Sequence, residues 1–157
     1  MRIKKVKITN ENKISMSYEQ ETKLGGWDEY SFTCSDTARP EFYTAVKEVA
    51  PHVIEMCELP ENYLDRITVR GVSFSYGGAA EVMGATISAA MKLDLSHQAL
   101  NLNTPHKASE MYNEDTPADE KQLLSDECID ALNNLQEECK AYISGDRAQV
   151  SLFCVAS

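Results

Sequence analysis

Seven side chains in this sequence could close around an anion. Arg66, Arg70 and Lys92 lie on one strand-like stretch, and Asn103, Thr104, His106 and Lys107 lie on a turn that follows it. Guanidinium groups grip phosphate or carboxylate through two parallel N–H donors, and amides, hydroxyls and ammonium groups add the single donors that complete such a cage. Pro105 stiffens the second group, which lowers the entropy lost when a ligand is held. The plainer reading of that turn is that its Asn and Thr side chains satisfy their own backbone. The chemistry on offer is capture of a small anionic ligand.

Catalysis asks for spacings that are not here. His52, His97 and His106 stand with no serine or cysteine in a recognised arrangement, although triads are assembled in space and not by sequence order. His52, beside Pro51, reads as a surface or capping residue. The five cysteines, Cys34, Cys57, Cys128, Cys139 and Cys154, are odd in number, widely spaced and without a C-x-x-C pair, so neither a disulfide framework nor a zinc site is indicated. They read as buried thiols in a reducing cytoplasm. From Glu110 to Glu138 there are ten acids against one base, Lys121. Metal binding would need carboxylates converging from separate elements, or an EF-hand register with its central glycine; a solvated helix face is the expectation. The chain is accordingly expected to be no enzyme and to carry no cofactor and no metal.

Composition narrows the partners. Fifteen Lys and Arg against 25 Asp and Glu give a net charge of −10, which argues against sequence-independent attraction to nucleic acid or anionic lipid. The opening MRIKKVKI lacks the apolar core of a signal peptide, and no run approaches the roughly eighteen apolar residues of a membrane span. A soluble, cytoplasmic protein is expected. With 157 residues, 43% of them apolar, one domain with a real core is the natural size.

The elements that must position these groups are led by Arg66 to Leu93. Ile67, Val69, Val72, Phe74 and Tyr76 suit a pleated surface, Gly77-Gly78 suits a reversal, and Met83, Ala85, Ile87, Ala89 and Met91 alternate. A three-residue loop would set Ile67 opposite Ala89, Val69 opposite Ile87 and Gly71 opposite Ala85, leaving one apolar face and one of Thr and Ser ringed by Arg66, Arg70 and Lys92. Toward the tip Val72 and Phe74 fall out of phase, which predicts a bulge near Gly71 or Gly84, or a tip that leans on a partner.

A second hairpin is predicted from residues 2–9 and 13–20, with Lys4, Lys5 and Lys7 read as charges that blunt an exposed terminal edge. A third strand starts at Trp27, read as a core plug at a sheet corner in preference to a stacking platform. Asp36 or Thr37 would cap a helix beginning near Pro40 and kinked or split at Pro51. Residues 94–119 read as a long loop, and residues 120–144 as an amphipathic helix ending at Gly145, with Cys128 and Cys139 on its buried side. The tail AQVSLFCVAS is strand-like; it adds to the sheet or leaves Leu152, Phe153 and Val155 as an oligomer contact. Together these predict an α+β domain, a mostly antiparallel sheet of five or six strands with two main helices on one face, forming a homo-oligomer.

The run ITVRGVSFSYGGAAEVMGATISAAMKL, followed by LNTPHK and later by LLSDECIDAL, resembles small proteins that recur in tailed-bacteriophage genomes. The resemblance implies a phage or prophage origin and action inside a bacterium. None of these runs is tied to a chemistry, so it carries over no site residue. The functional expectation is a non-enzymatic binding protein that sequesters a small anionic, nucleotide-type host signal as an anti-defence device. The alternative is an interaction module whose acidic helix inhibits a host nucleic-acid-binding enzyme. The expected partner is thus a small anionic ligand or a host protein, with no direct nucleic acid and no membrane.

Overall fold

Alternating apolar residues form three strands early in the chain, β1 (Arg2–Ile8), β2 (Ile14–Glu21) and β3 (Trp27–Cys34). Two short helices follow, α1 (Pro40–Lys47) and α2 (Ala50–Met56), then a 3-10 turn at Glu61–Arg66 and the long hairpin β4 (Ile67–Gly77) and β5 (Val82–Met91). The short strands β6 (Leu100–Asn103) and β7 (Lys107–Ala108), a 3-10 turn at Glu120–Gln122 and the long helix α3 (Asp126–Ile143) come next. This is a computed structural model, and it describes residues 1–110 and 120–148. The predicted strand character of the tail beyond Ala148, with Leu152, Phe153, Cys154 and Val155, lies outside the described residues.

Every strand pair is antiparallel, in the order β3-β2-β1-β4-β5-β6, with β7 also pairing to β5. The α+β class therefore holds, with seven strands among the described residues where five or six were expected. The helices lie on one face, where Ile3, Val6, Ile14, Met16, Val72 and Ile87 from the sheet meet Phe42, Val49 and Val53 from the short helices and Leu132, Leu135 and Tyr142 from α3. Pro40 and Pro51 each sit in the first turn of a helix, where a missing N–H breaks no bond, so the chain divides into two helices at that point as expected. The predicted cap is corrected: Arg39 is the N-cap of α1 and no side chain bonds there, so Asp36 and Thr37 do not serve. At α3, by contrast, the Ser125 side chain accepts a hydrogen bond from the Cys128 N–H.

Four further expectations change. The loop between the long strands is four residues, 78–81, and the hairpin register is Ile67 with Met91, Val69 with Ala89 and Gly71 with Ser88. The predicted bulge does exist, between Val69 and Gly71. Its extra residue, Arg70, returns Val72 and Phe74 to the face that Ile67 and Val69 share, which is why the alternation changed phase there. The stretch read as one long loop from 94 contains β6 and β7, and the last helix starts at Asp126 after a separate 3-10 turn. Its end is as predicted, with Gly145 at φ 96°, a conformation that costs a residue without Cβ little.

The lysines of β1 are not edge charges, because β1 lies between β2 and β4. Nor is Trp27 a core plug; it is 36% exposed, and the Arg2 guanidinium lies over its ring at 3.9 Å.

Candidate anion-binding recess

Because β1 is interior, Lys5 and Lys7 project from the sheet face that the helices leave bare. Their cross-strand neighbours are small: Lys5 faces Ser17 and Ser73, and Lys7 faces Ser15 and Gly71. A Cβ on Gly71 would come within 2.5 Å of the Val6 carbonyl oxygen, so glycine is what lets β4 approach β1 here. The bulge beside Gly71 sets Arg70 next to Lys7.

Both cations line one recess of about 520 Å³ on this face. Its polar walls are Asn10 from the first hairpin turn, Ser88 from β5, Gln98, and Asn101 and Asn103 from β6. Ser88 Oγ donates to Asn103 Oδ1 at 2.9 Å, which fixes that amide and leaves its N–H donors directed elsewhere. Among the described residues no carboxylate lines the recess, and neither Arg70 nor Lys7 has an ion-pair partner. Two uncompensated positive charges with amide and hydroxyl donors can bind a phosphate or a carboxylate.

Of the seven residues singled out from the sequence, Arg70 and Asn103 meet here. Lys92 lines a neighbouring hollow of about 200 Å³ with Ser96 and His97, and the two hollows share Gln98 and Ala99. The other four are elsewhere. Arg66 donates to Asp94 at 3.0 Å and stacks on Tyr63 at 4.7 Å. Thr104 is buried and extends the β5–β6 ladder, its Oγ1 accepting from the Ile87 N–H at 2.9 Å while its own N–H donates to the Ile87 carbonyl at 2.9 Å. His106 Nε2 is 2.7 Å from Ser75 Oγ and rests against Gly84, where a Cβ would collide with the ring. Lys107 pairs with Ala85 and so shares the helix-covered face.

The turn is thus a structural strand extension, its Thr104 and His106 side chains bonded to β5 and β4 and not to their own backbone as the plainer reading held, and Thr104, His106 and Lys107 do not close over the hairpin cations. Lys7, Asn10 and Gln98 were missed as site residues. Lys7 carried a usable signal, since Lys5 and Lys7 keep period two, but reading β1 as an edge hid it.

The remaining reactive groups serve packing. Burial pushes the Cys128 thiol up to about 12 and moves that of Cys139 still further upward, so neither is a nucleophile at neutral pH. On the covered side Arg39 is fully engaged, its Nε and Nη2 donating to Glu138 at 2.9 and 2.8 Å and its Nη1 to Asp146 at 2.8 Å. The hydrogen bonds that Arg39 donates to Glu138 hold its ionisation well above the ordinary arginine range. His52 is largely covered, with Nδ1 3.5 Å from Glu55. Among the described residues no three His, Cys, Asp or Glu side chains gather as metal ligands would, and no helix is long and apolar enough to cross a membrane. The chain matches no protein-family model, no curated protein and no solved structure.

Proposed function

We propose that this protein is a non-enzymatic binding protein that captures a small anionic ligand of nucleotide type in the Lys7–Arg70 recess. The observation that carries the reading is Arg70, a guanidinium beside a lysine in a chain of net charge −10, with no carboxylate against it among the described residues. Among the described residues the other four arginines, Arg2, Arg39, Arg66 and Arg147, each find a carboxylate. Lys7 and Arg70 would hold the anionic group, and Asn10, Gln98, Asn101 and Asn103 would read the hydrogen-bonding edge of what it is attached to. The resemblance to phage proteins supports a phage-encoded role in the bacterial cytoplasm, sequestering a host signal nucleotide.

Isothermal titration with cyclic and linear nucleotides tests this. Saturable binding to at least one of them is expected, weakened about tenfold or more by Arg70→Gln, the loss of one charge-assisted contact, and unchanged by Arg66→Gln. If none of these nucleotides gives heat or shifts the melting temperature, the reading is lost. A second reading, inhibition of a basic host protein, rests on α3, whose outward face presents Glu127, Asp130 and Glu137. It predicts association that salt weakens and that reversal of those three charges abolishes.

A further inference from the structure

We propose that the groove between α2, the 3-10 turn at Glu61–Arg66 and the start of β4 docks a cationic amphipathic peptide segment of another protein. Two hollows, of about 630 and 570 Å³, meet there, and Pro51 and Leu64 line both. The floor is apolar, with Ile54 and Leu59 in one hollow and Val46 and Ile67 in the other. Leu64, at the junction, is 39% exposed, an area that an apolar anchor would cover.

The rim selects the occupant. Glu55, Glu58, Glu61 and Asp65 line the two hollows and are all exposed, with Lys47 as the one base among the described lining residues. Glu58, Glu61 and Asp65 have no ion-pair partner among the described residues, and Glu55 meets only His52. Like charges around an apolar floor repel one another in the free protein, and a segment carrying Lys or Arg beside its apolar anchors relieves that repulsion while it buries the floor. A second copy is a poor occupant, since a two-fold contact would set this acidic rim against itself. Among the described lining residues the groove shares Ile8 alone with the Lys7–Arg70 recess, and Glu58, Glu61, Leu64 and Asp65 belong to the groove, so the inference stands apart from the nucleotide reading.

The test titrates the full chain with a synthetic peptide of Leu and Lys patterned at helical spacing, and with the same peptide carrying Glu for Lys. Binding of the Lys peptide at one to one is expected, about tenfold weaker in the triple variant E58Q/E61Q/D65N and lost in Leu64→Asp. The triple variant E127Q/D130N/E137Q removes the same charge from α3 and should change affinity less than twofold. The proposal is overturned if the α3 variant weakens binding as much as the rim variant does, if the Glu peptide binds as well, or if Leu64→Asp has no effect. Sedimentation showing a dimer that Leu64→Asp dissolves, with no peptide binding, would overturn it in favour of a second copy.

Discussion

The two faces of the sheet are made by the same strands and do opposite things. One face presents Ile3, Val6, Ile14, Met16, Val72 and Phe74 to three helices, and the buried carboxylate on that side, Glu138, is held by Arg39, which also reaches Asp146. The other presents Ser15, Ser17, Ser31, Thr33, Ser73 and Thr86, with Lys5, Lys7 and Arg70 among them. Hydroxyls there bond mainly to each other, as Ser17 does with Ser31 at 3.0 Å. Buried charge on the first face serves cohesion, because an unpaired ion would be costly there; uncovered charge on the second remains free for a ligand. Arg66 and Arg70 make the same point within one stretch of chain. Asp94 occupies the first, and the bulge carries the second to a wall that offers no acid among the described residues.

Substitutions can break this contrast. The largest effect is expected at Leu135, which is fully buried: Leu135→Ala should cost about 3 kcal/mol of unfolding free energy by urea titration, through lost transfer energy and a cavity. A cost under about 1 kcal/mol would mean that the covered face is not packed as described. Gly71→Ala should cost about 2 kcal/mol, because its Cβ meets backbone that cannot swing aside. It should also weaken any ligand held by Arg70, since the bulge that aims Arg70 would shift. A Gly71→Ala protein with unchanged midpoint and unchanged binding would remove the bulge from the account. The smallest effect is expected on the bare face, where Ser17→Ala should stay within about 0.5 kcal/mol, as exposed substitutions do. A larger loss there would point to something covering that face.

Much of the fold was legible because it is local. Period two marked the strands, Pro40 and Pro51 marked the helix starts, and Gly145 marked the last helix end. Even the bulge showed itself, since Val72 and Phe74 could not share a face with Val69 without an extra residue. The site was legible only in part. Arg70 and Asn103 could be named, but Arg66 could not be set aside without knowing that Asp94, just past the end of the paired strand β5, reaches it. Thr104 and His106 looked like ligand donors, while their partners, Ile87 and Ser75, are strand neighbours that no turn pattern reveals. Lys7 was passed over because a first strand is usually imagined at an edge, and here β4 pairs with β1 from the other side.

The amino-acid sequence by itself determined the five longer strands, the helices, the acidic balance and the kinds of donor available, because propensity, periodicity and charge are carried by neighbours along the chain. Tertiary structure alone decided the strand order, which made β1 interior, and the pairings that give some cations a carboxylate and, among the described residues, leave Lys7 and Arg70 without one. Those outcomes depend on which residues from distant segments come within a few ångströms. An ion pair acts over that distance in space and takes no account of separation along the chain.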